Sequence, residues 1–440
     1  MKKVYLSFIG FALVCRMHGY AQLRNTSKDT VGERPMASLF TPEAIDSSGY
    51  SIHRLRIDEI NLVSSYYNQD GNHSAVTGGI GTEKVTDISN GIDLKLVWLG
   101  NNNNKNTISA GLGIDYHTSA SAAYVNLSGA SKTGGSRIYP SLDWTIEKAK
   151  TGNTFGIGTY LSTEYNYNSF GADIHFSRKT RNKNGEFSLK LQAYLDNVTL
   201  IYPSEFVPKT TTVVSGVTVV TSASGRTSTS GGGSSSSESS IPTSPRNTYT
   251  ASTSYSQMIN TRLQVMFLAD FVKQDGYLSL PFHRVYFSSG KDTIEHLPSS
   301  RFKLPLGVRL NYFMGDNIII RSYYRYYFDD WGTKSNTANL EVAYKITPFL
   351  SLSPFYRYYT QSAAKYFAPY EGHSATDQYY TSNYAYAKFN SNFFGMGFRA
   401  APPKGVLGLQ GLHDLEVRYG HYSQSTSLAS NVISMSLGFK

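Results

Sequence analysis

The chain carries one cysteine, Cys15, in 440 residues, so no internal disulfide staples it and no thiolate cluster can hold a metal. Charge is scarce too: Asp, Glu, Lys and Arg make up 16% of the residues, with a formal net charge of +10. The basic residues are spread along the chain, which argues against nucleic-acid binding and for a basic interior or an acidic surface partner. No apolar run after the N-terminal stretch is long enough for a membrane-crossing helix. Neither a Gly-x-Ser-x-Gly elbow nor a phosphate loop occurs, and Gly78-Gly79-Ile80-Gly81-Thr82 lacks the following helix that a phosphate-binding loop needs. A Ser/His/Asp triad cannot be read from a chain this rich in serine. The expectation is a protein that is not an enzyme and uses no cofactor and no metal.

The N-terminus points to export. Lys2 and Lys3 precede an apolar stretch over 4–14, and Gly19-Tyr20-Ala21 forms a small-residue site before Gln22, the pattern of a cleaved signal peptide over residues 1–21. Val14 is too large for lipidation at Cys15, which would leave with the leader. Loss of Lys2, Lys3 and Arg16 then reduces the formal charge to +7. Residues 22–52 are expected as a short periplasmic segment, far too few for the folded plug of a TonB-dependent transporter, and 53–440 as a single barrel domain.

What the chain has in abundance is aromatic residues and glycine: 34 Tyr, 23 Phe and 38 Gly. They sit in segments alternating with period 2, the signature of strands with one apolar and one polar face. Leu304, Leu306, Val308, Leu310 and Tyr312 alternate with Lys303, Pro305, Gly307, Arg309 and Asn311. Strands are expected near 53–66, 92–99, 107–117, 138–148, 154–167, 169–181, 186–199, 247–257, 261–273, 301–313, 317–328, 335–346, 349–360, 383–398, 412–421 and 431–440. Most have the length a tilted strand needs to cross a bilayer. With no spanning helix, only a closed barrel satisfies backbone groups in hydrocarbon; a soluble secreted sandwich is the competing class.

The connections sort by side. Every second one is short (101–106, 149–153, 182–185, 258–260, 314–316, 347–348), with 400–411 as the long exception. The others run over 67–91, 118–137, 200–246, 274–300, 329–334, 361–382 and 422–430, with a tight turn near Asn168. Short periplasmic turns and long outer loops are what an even-stranded barrel with both ends in the periplasm produces. The fold expected is therefore all-β: one transmembrane, antiparallel, up-and-down barrel of about 16 strands (range about 14–18), in the bacterial outer membrane. The loop over 200–246 holds a Ser/Gly-rich stretch at 222–240 that cannot form a core, and just before it 213–214 and 217–220 can pair as a hairpin. The last strand places Ile433, Met435, Leu437 and Phe439 on one face, a candidate C-terminal signal for the barrel-insertion machinery, with Lys440 after the aromatic.

Two strands are unusually rich in Tyr and Arg. Arg321, Tyr323, Arg325 and Tyr327 share one face, and Phe355, Arg357 and Tyr359 another. Alternation turns these faces toward the lumen, together with Lys303, Arg309, Glu341, Lys345, Glu416 and Arg418. Such a lining can pass or bind an anionic solute, or fill the interior with its own hydrogen bonds. Tyr326, Phe328, Tyr356 and Tyr358 suit an interfacial aromatic girdle. His283, His296 and His373, with Asp292, Glu295 and Asp377, lie in outer loops at no metal-ligand spacing, and separate loops would have to converge before they met. His53 and His117 read as hydrogen-bonded strand ends.

The segment Arg321-Ser322-Tyr323-Tyr324-Arg325-Tyr326-Tyr327-Phe328-Asp329-Asp330-Trp331-Gly332 resembles the domain-of-unknown-function 3570 family of bacterial outer-membrane proteins. Similarity continues in Pro354-Phe355-Tyr356-Arg357-Tyr358-Tyr359-Thr360-Gln361-Ser362-Ala363-Ala364-Lys365-Tyr366-Phe367, and more weakly in Tyr66-Tyr67-Asn68-Gln69-Asp70-Gly71 and Ile114-Asp115-Tyr116-His117-Thr118-Ser119-Ala120-Ser121. The resemblance implies an outer-membrane β-barrel without catalytic residues to carry over. Members tend to be encoded near a thioredoxin-like protein, a small lipoprotein and a flavin transferase, which implies envelope redox processes as a setting.

Two functions remain at this level. One is a pore for small or anionic solutes through a basic, tyrosine-rich lumen. The other is a closed barrel that anchors a surface or periplasmic partner, a lipoprotein among the candidates. Both place outer-membrane lipid around the barrel.

Overall fold

The computed structural model describes residues 55–100, 103–118, 134–203, 206, 210–214, 217–221, 227–229 and 242–440. The expected signal peptide over 1–21, the expected periplasmic segment 22–52 and His53 lie outside them. The strands are β1 (Arg56–Asp70), β2 (Val85–Leu99), β3 (Lys105–His117), β4 (Gly135–Glu147), β5 (Thr154–Glu164), β6 (Tyr167–Lys179), β7 (Gly185–Thr199), β8 (Thr210–Val214), β9 (Val217–Thr221), β10 (Thr227–Thr229), β11 (Thr243–Met258), β12 (Leu263–Gly276), β13 (Arg284–Tyr286), β14 (Asp292–Ile294), β15 (Ser300–Met314), β16 (Ile318–Asp329), β17 (Lys334–Thr347), β18 (Leu350–Gln361), β19 (Phe389–Ala400), β20 (Leu412–Gln424) and β21 (Ala429–Phe439). Sixteen of them close into one barrel, in the order β1 to β7, β11, β12 and β15 to β21. β21 returns antiparallel to β1, with Phe439 opposite Ile60 and Ala429 opposite Asp70. Closure leaves the barrel no sheet edge, so each of its sixteen strands finds partners on both sides.

Alternation decides which face is which. On β4, Ile138, Leu142 and Trp144 point outward and are 40–49% exposed, while Arg137, Tyr139 and Asp143 turn inward. The same division runs around the barrel: Leu306, Leu310, Tyr324, Leu340, Tyr356, Phe394 and Met396 are exposed, whereas Arg325, Ser335, Thr337, Glu341, Ser353 and Ser391 are buried on the opposite face. A continuous apolar exterior over a polar interior inverts the usual arrangement of a soluble domain and matches a lipid-embedded barrel. The chain is an outer-membrane β-barrel.

Several boundaries differ from the sequence expectation. β1 runs on to Asp70 and β2 starts at Val85, so the first long loop is 71–84 rather than 67–91. Inward-facing Asp87 and Ser89 resemble turn residues in the sequence, yet they belong to the polar face of a strand whose outward residues include Ile88 and Ile92. The tight turn expected near Asn168 lies at 165–166, since Glu164 pairs with Tyr167. The strand expected over 383–398 starts at Phe389. Before it, Asn383 accepts a hydrogen bond from the Ala385 amide and starts a 3-10 turn over Tyr384–Tyr386. Within the loop over 200–242, β8 and β9 form the expected hairpin, Val214 opposite Val217, and β10 adds a third strand.

Candidate functional site

The inner wall from β15 to β20 is built on guanidinium groups. Antiparallel register sets Arg321 of β16 directly opposite Glu341 of β17, and Arg321 Nη1 donates to Glu341 Oε1 at 2.6 Å. Arg418 of β20 reaches the other oxygen of the same carboxylate at 2.6 Å and also donates to Glu416 at 3.0 Å. That reach crosses β18 and β19, and glycine makes room for it: a Cβ on Gly397 would stand 3.3–3.5 Å from the Arg418 side chain. Phe355 lies under the Arg418 guanidinium, 5.0 Å from ring centroid to Cζ. One carboxylate thus ties two arginines from separate strands. Charge-assisted bonds of this kind keep their donors from being stranded. Glu341→Gln is expected to lower barrel stability by about 2 kcal/mol, read as a lower temperature for conversion from the compact to the unfolded band in heat-modifiability gels.

The other expected residues fall on the same polar face. Arg309 lies over the Tyr323 ring at 5.6 Å and Arg357 over Phe393 at 5.3 Å. Lys303 stands opposite Asp329 in the register, and Arg325, opposite Thr337, is 6% exposed. Lys345 lies toward the short-turn end of β17, opposite Ser351. Arg399 of β19 donates to Asp414 at 2.8 Å, and although both are paired, the Arg321 and Arg399 side chains are 43% and 41% exposed. Tyr326, Phe328, Tyr356 and Tyr358 lie on the outward face in the halves of β16 and β18 nearer the long loops. Ile433, Met435, Leu437 and Phe439 share the outward face of β21, along the seam with β1.

Across the barrel, β4 to β7 carry a second polar cluster. Asp173 of β6 is ion-paired with Lys190 of β7, with Nζ 3.1 Å from Oδ2, and its Oδ1 stands 2.9 Å from His175 Nδ1. Lys190 also donates to the Tyr160 hydroxyl at 3.0 Å. Asp143, Asp173 and His175 bring ligand-type atoms within 4.8 Å of one another, but the Lys190 ammonium already supplies positive charge to Asp173. This is an ion-pair network spanning neighbouring strands, with Gly156 and Gly158 leaving space for His175 and Asp173.

The mouth at the long-loop end holds the feature that sequence reading missed. Loops 71–84, 277–299, 330–333 and 362–388 pack on one another and fold over the ends of inward-facing side chains. Arg246 of β11 donates to the carbonyls of Tyr277 and Ser279, both at 2.8 Å. Gln361 of β18 donates to those of Ala385 and Ala387 at 3.0 and 2.6 Å. Arg284 reaches the Val76 carbonyl at 2.6 Å, and His73 stacks on Tyr384 with centroids 3.7 Å apart. A small apolar core of Leu278, Leu297 and Trp331, with Tyr366 and Tyr386 against it, lies inside this cap.

The two strongest family-like segments meet here. Trp331 is 2% exposed, its indole donates to the Ser300 carbonyl at 3.0 Å, and its ring meets Tyr366 edge-on at 5.7 Å. The Lys365 amide donates to the Trp331 carbonyl at 2.9 Å. Asp329 accepts from the Thr333 amide at 2.9 Å, from the Tyr327 hydroxyl at 2.6 Å and from Arg301 Nε at 3.0 Å, while Gly332 takes φ +87° to turn the chain, a conformation that costs glycine little. Arg301 in turn lies over Trp331 at 4.4 Å, a cation–π contact in a desolvated setting. A signal was present in the sequence: Asp-Asp-Trp-Gly between two strands is a turn with a large apolar residue that must be buried somewhere.

The loop histidines do converge, on protein partners. His373 contacts the Thr381 carbonyl at 3.0 Å and Asp377 at 3.1 Å. Glu295, 4% exposed, accepts from the Leu280 amide at 2.8 Å and from Thr381, with His283 3.5 Å away. These bonds tie loop 277–299 to loop 362–388. In loop 71–84, burial pushes the Glu83 carboxyl above the ordinary range for glutamate.

A family model described as a protein of unknown function, DUF3570, matches residues 135–433. No curated protein matches the chain. Among solved structures it is similar to a mutant of the ferric enterobactin receptor PfeA from Pseudomonas aeruginosa, at 10% identity and a TM-score of 0.39, over 83% of this chain and 53% of that one. It is also similar to OccAB3 of Acinetobacter baumannii, at 9% identity and 0.35, over 88% of this chain and 100% of that one. A third is CdiB from Acinetobacter baumannii, at 8% and 0.40, over 88% and 66%. The chain spans about half the length of the PfeA receptor chain, 53% of it.

Proposed function

The chain belongs to the DUF3570 family, and from that premise we propose that it is a capped pore for small polar solutes, with the arginine wall of β15 to β20 as the solute path. The observation that carries this reading is the pair Arg321 and Arg399, whose side chains stay 43% and 41% exposed on the inner face of a closed barrel. An interior used only as filling buries such groups against one another. Lys303, Arg309, Tyr323, Arg325, Glu341, Lys345, Arg357, Glu416 and Arg418 then act as lining, with Glu341 holding Arg321 and Arg418 in place. Rings of basic side chains favour anions, so solutes bearing a carboxylate or phosphate pass along this wall. Outward-facing Ile433, Met435, Leu437 and Phe439 serve the insertion machinery.

Planar-bilayer recording tests the pore. Discrete conductance steps are expected, and Arg321→Gln with Arg399→Gln should shift the reversal potential in a salt gradient toward cations. Silence from folded protein, with the cap intact and with it loosened, overturns the reading.

A further inference from the structure

The inner wall carries two opposed arcs of charge. In a barrel of sixteen strands, each strand faces the one eight places on, so β2 to β7 lie diametrically across from β15 to β20. By the registers, the inward face of β2 to β7 carries nine acidic side chains, Asp93 and Asp143 among them, against five Lys and Arg. The inward face of β15 to β20 carries nine Lys and Arg against four carboxylates. The ion pairs described above lie within one arc or the other: Lys190 with Asp173, Arg399 with Asp414, Arg418 with Glu341 and Glu416. Pairing therefore cancels charge inside each arc and leaves an excess of opposite sign on the two sides.

We propose that this lumen sustains a transverse electric field and selects dipolar, zwitterionic solutes of amino-acid size over neutral solutes of equal volume. The inference rests on the pore reading and names its substrate class. A zwitterion entering between the arcs turns its carboxylate toward the arginine wall and its ammonium toward the aspartate wall. Both ends gain, where a simple ion is attracted by one wall and repelled by the other. Low-dielectric walls concentrate the field in the space between. Asp93 is exposed on its inward face, as are the Arg321 and Arg399 side chains, so groups of both signs reach the lumen water.

Liposome swelling with the full protein tests this, using alanine as zwitterion, lactamide as the neutral molecule of similar size, and lactate as anion. Alanine is expected to permeate faster than lactamide. Asp93→Asn with Asp143→Asn, which halves the excess on the acidic arc, should lower the alanine-to-lactamide ratio and speed lactate, while Arg309→Gln with Arg357→Gln should also lower it and slow lactate. Because Asp93 is exposed, Asp93→Asn alone provides a variant that keeps the fold, and it should lower the ratio part of the way. Equal rates for alanine and lactamide in the unaltered protein overturn the field while leaving the pore intact. A ratio above one that neither arc's variants change also overturns it. No swelling with any solute, with the cap loosened as well, overturns the pore reading and the field together.

Discussion

Trp331→Ala should release the loop cap while the barrel beneath it stays closed. The indole is the largest member of the cap core and is 2% exposed. Truncating a buried tryptophan costs about 3–5 kcal/mol, and here the loss is local. Arg301 loses the ring it lies over, Tyr366 and Tyr386 lose their packing partner, and the Ser300 carbonyl loses its donor. The cap is held by few apolar contacts and many loop hydrogen bonds, the composition of a unit that opens below the global unfolding free energy. Limited proteolysis should then cut within 277–299 and 362–388, heat-modifiable migration should persist, and conductance should rise. Protease resistance equal to that of the unaltered protein would show that Trp331 does not hold the cap.

Leu142→Arg should act on the barrel itself. Leu142 is at the middle of β4, on the outward face, and 49% exposed. A guanidinium there must sit in hydrocarbon, at roughly 2–4 kcal/mol near the bilayer midplane. Its inward neighbour Ser141 should accept arginine at far smaller cost, because that side chain enters the polar interior. Folding yields in lipid vesicles across a urea series compare the two. Equal destabilisation at 141 and 142 would contradict the assignment of faces.

The barrel was legible because its determinants are local and periodic. Leu304 to Tyr312 reads as a strand without knowledge of any partner, and the alternation of short and long connections gives the even count. The pairing of 213–214 with 217–220 was equally local. Boundaries failed where the polar face of a strand imitates a turn, as at Asp87 and Ser89, or where a capped 3-10 turn precedes a strand, as at Asn383. The cap was not legible, because it depends on four loops meeting: Trp331 with Tyr366, Arg284 with Val76, Glu295 with Thr381. Nothing in the spacing of His283, Glu295 and His373 announces that they form one protein-bonded cluster. The opposed arcs of charge stayed hidden for a related reason. Arg321 and Arg357 could be assigned an inward face from alternation, but that their arc stands across from the arc bearing Asp93 and Asp143 requires the order of strands around the closed barrel.

Single-cysteine accessibility tests the central claim most directly, that the face bearing Arg321 and Arg399 lines a water-filled lumen. Cys15 is the only cysteine in the chain, and Cys15→Ser removes its background. In that background, Arg321→Cys and Arg399→Cys should react with a charged, membrane-impermeant thiosulfonate in lipid vesicles, and the modification should change the conductance. Ile320→Cys and Phe398→Cys, one residue away on the outward face, should not react. Reaction at 320 and 398 with none at 321 and 399, or no reaction at any of the four in folded protein, would contradict the account.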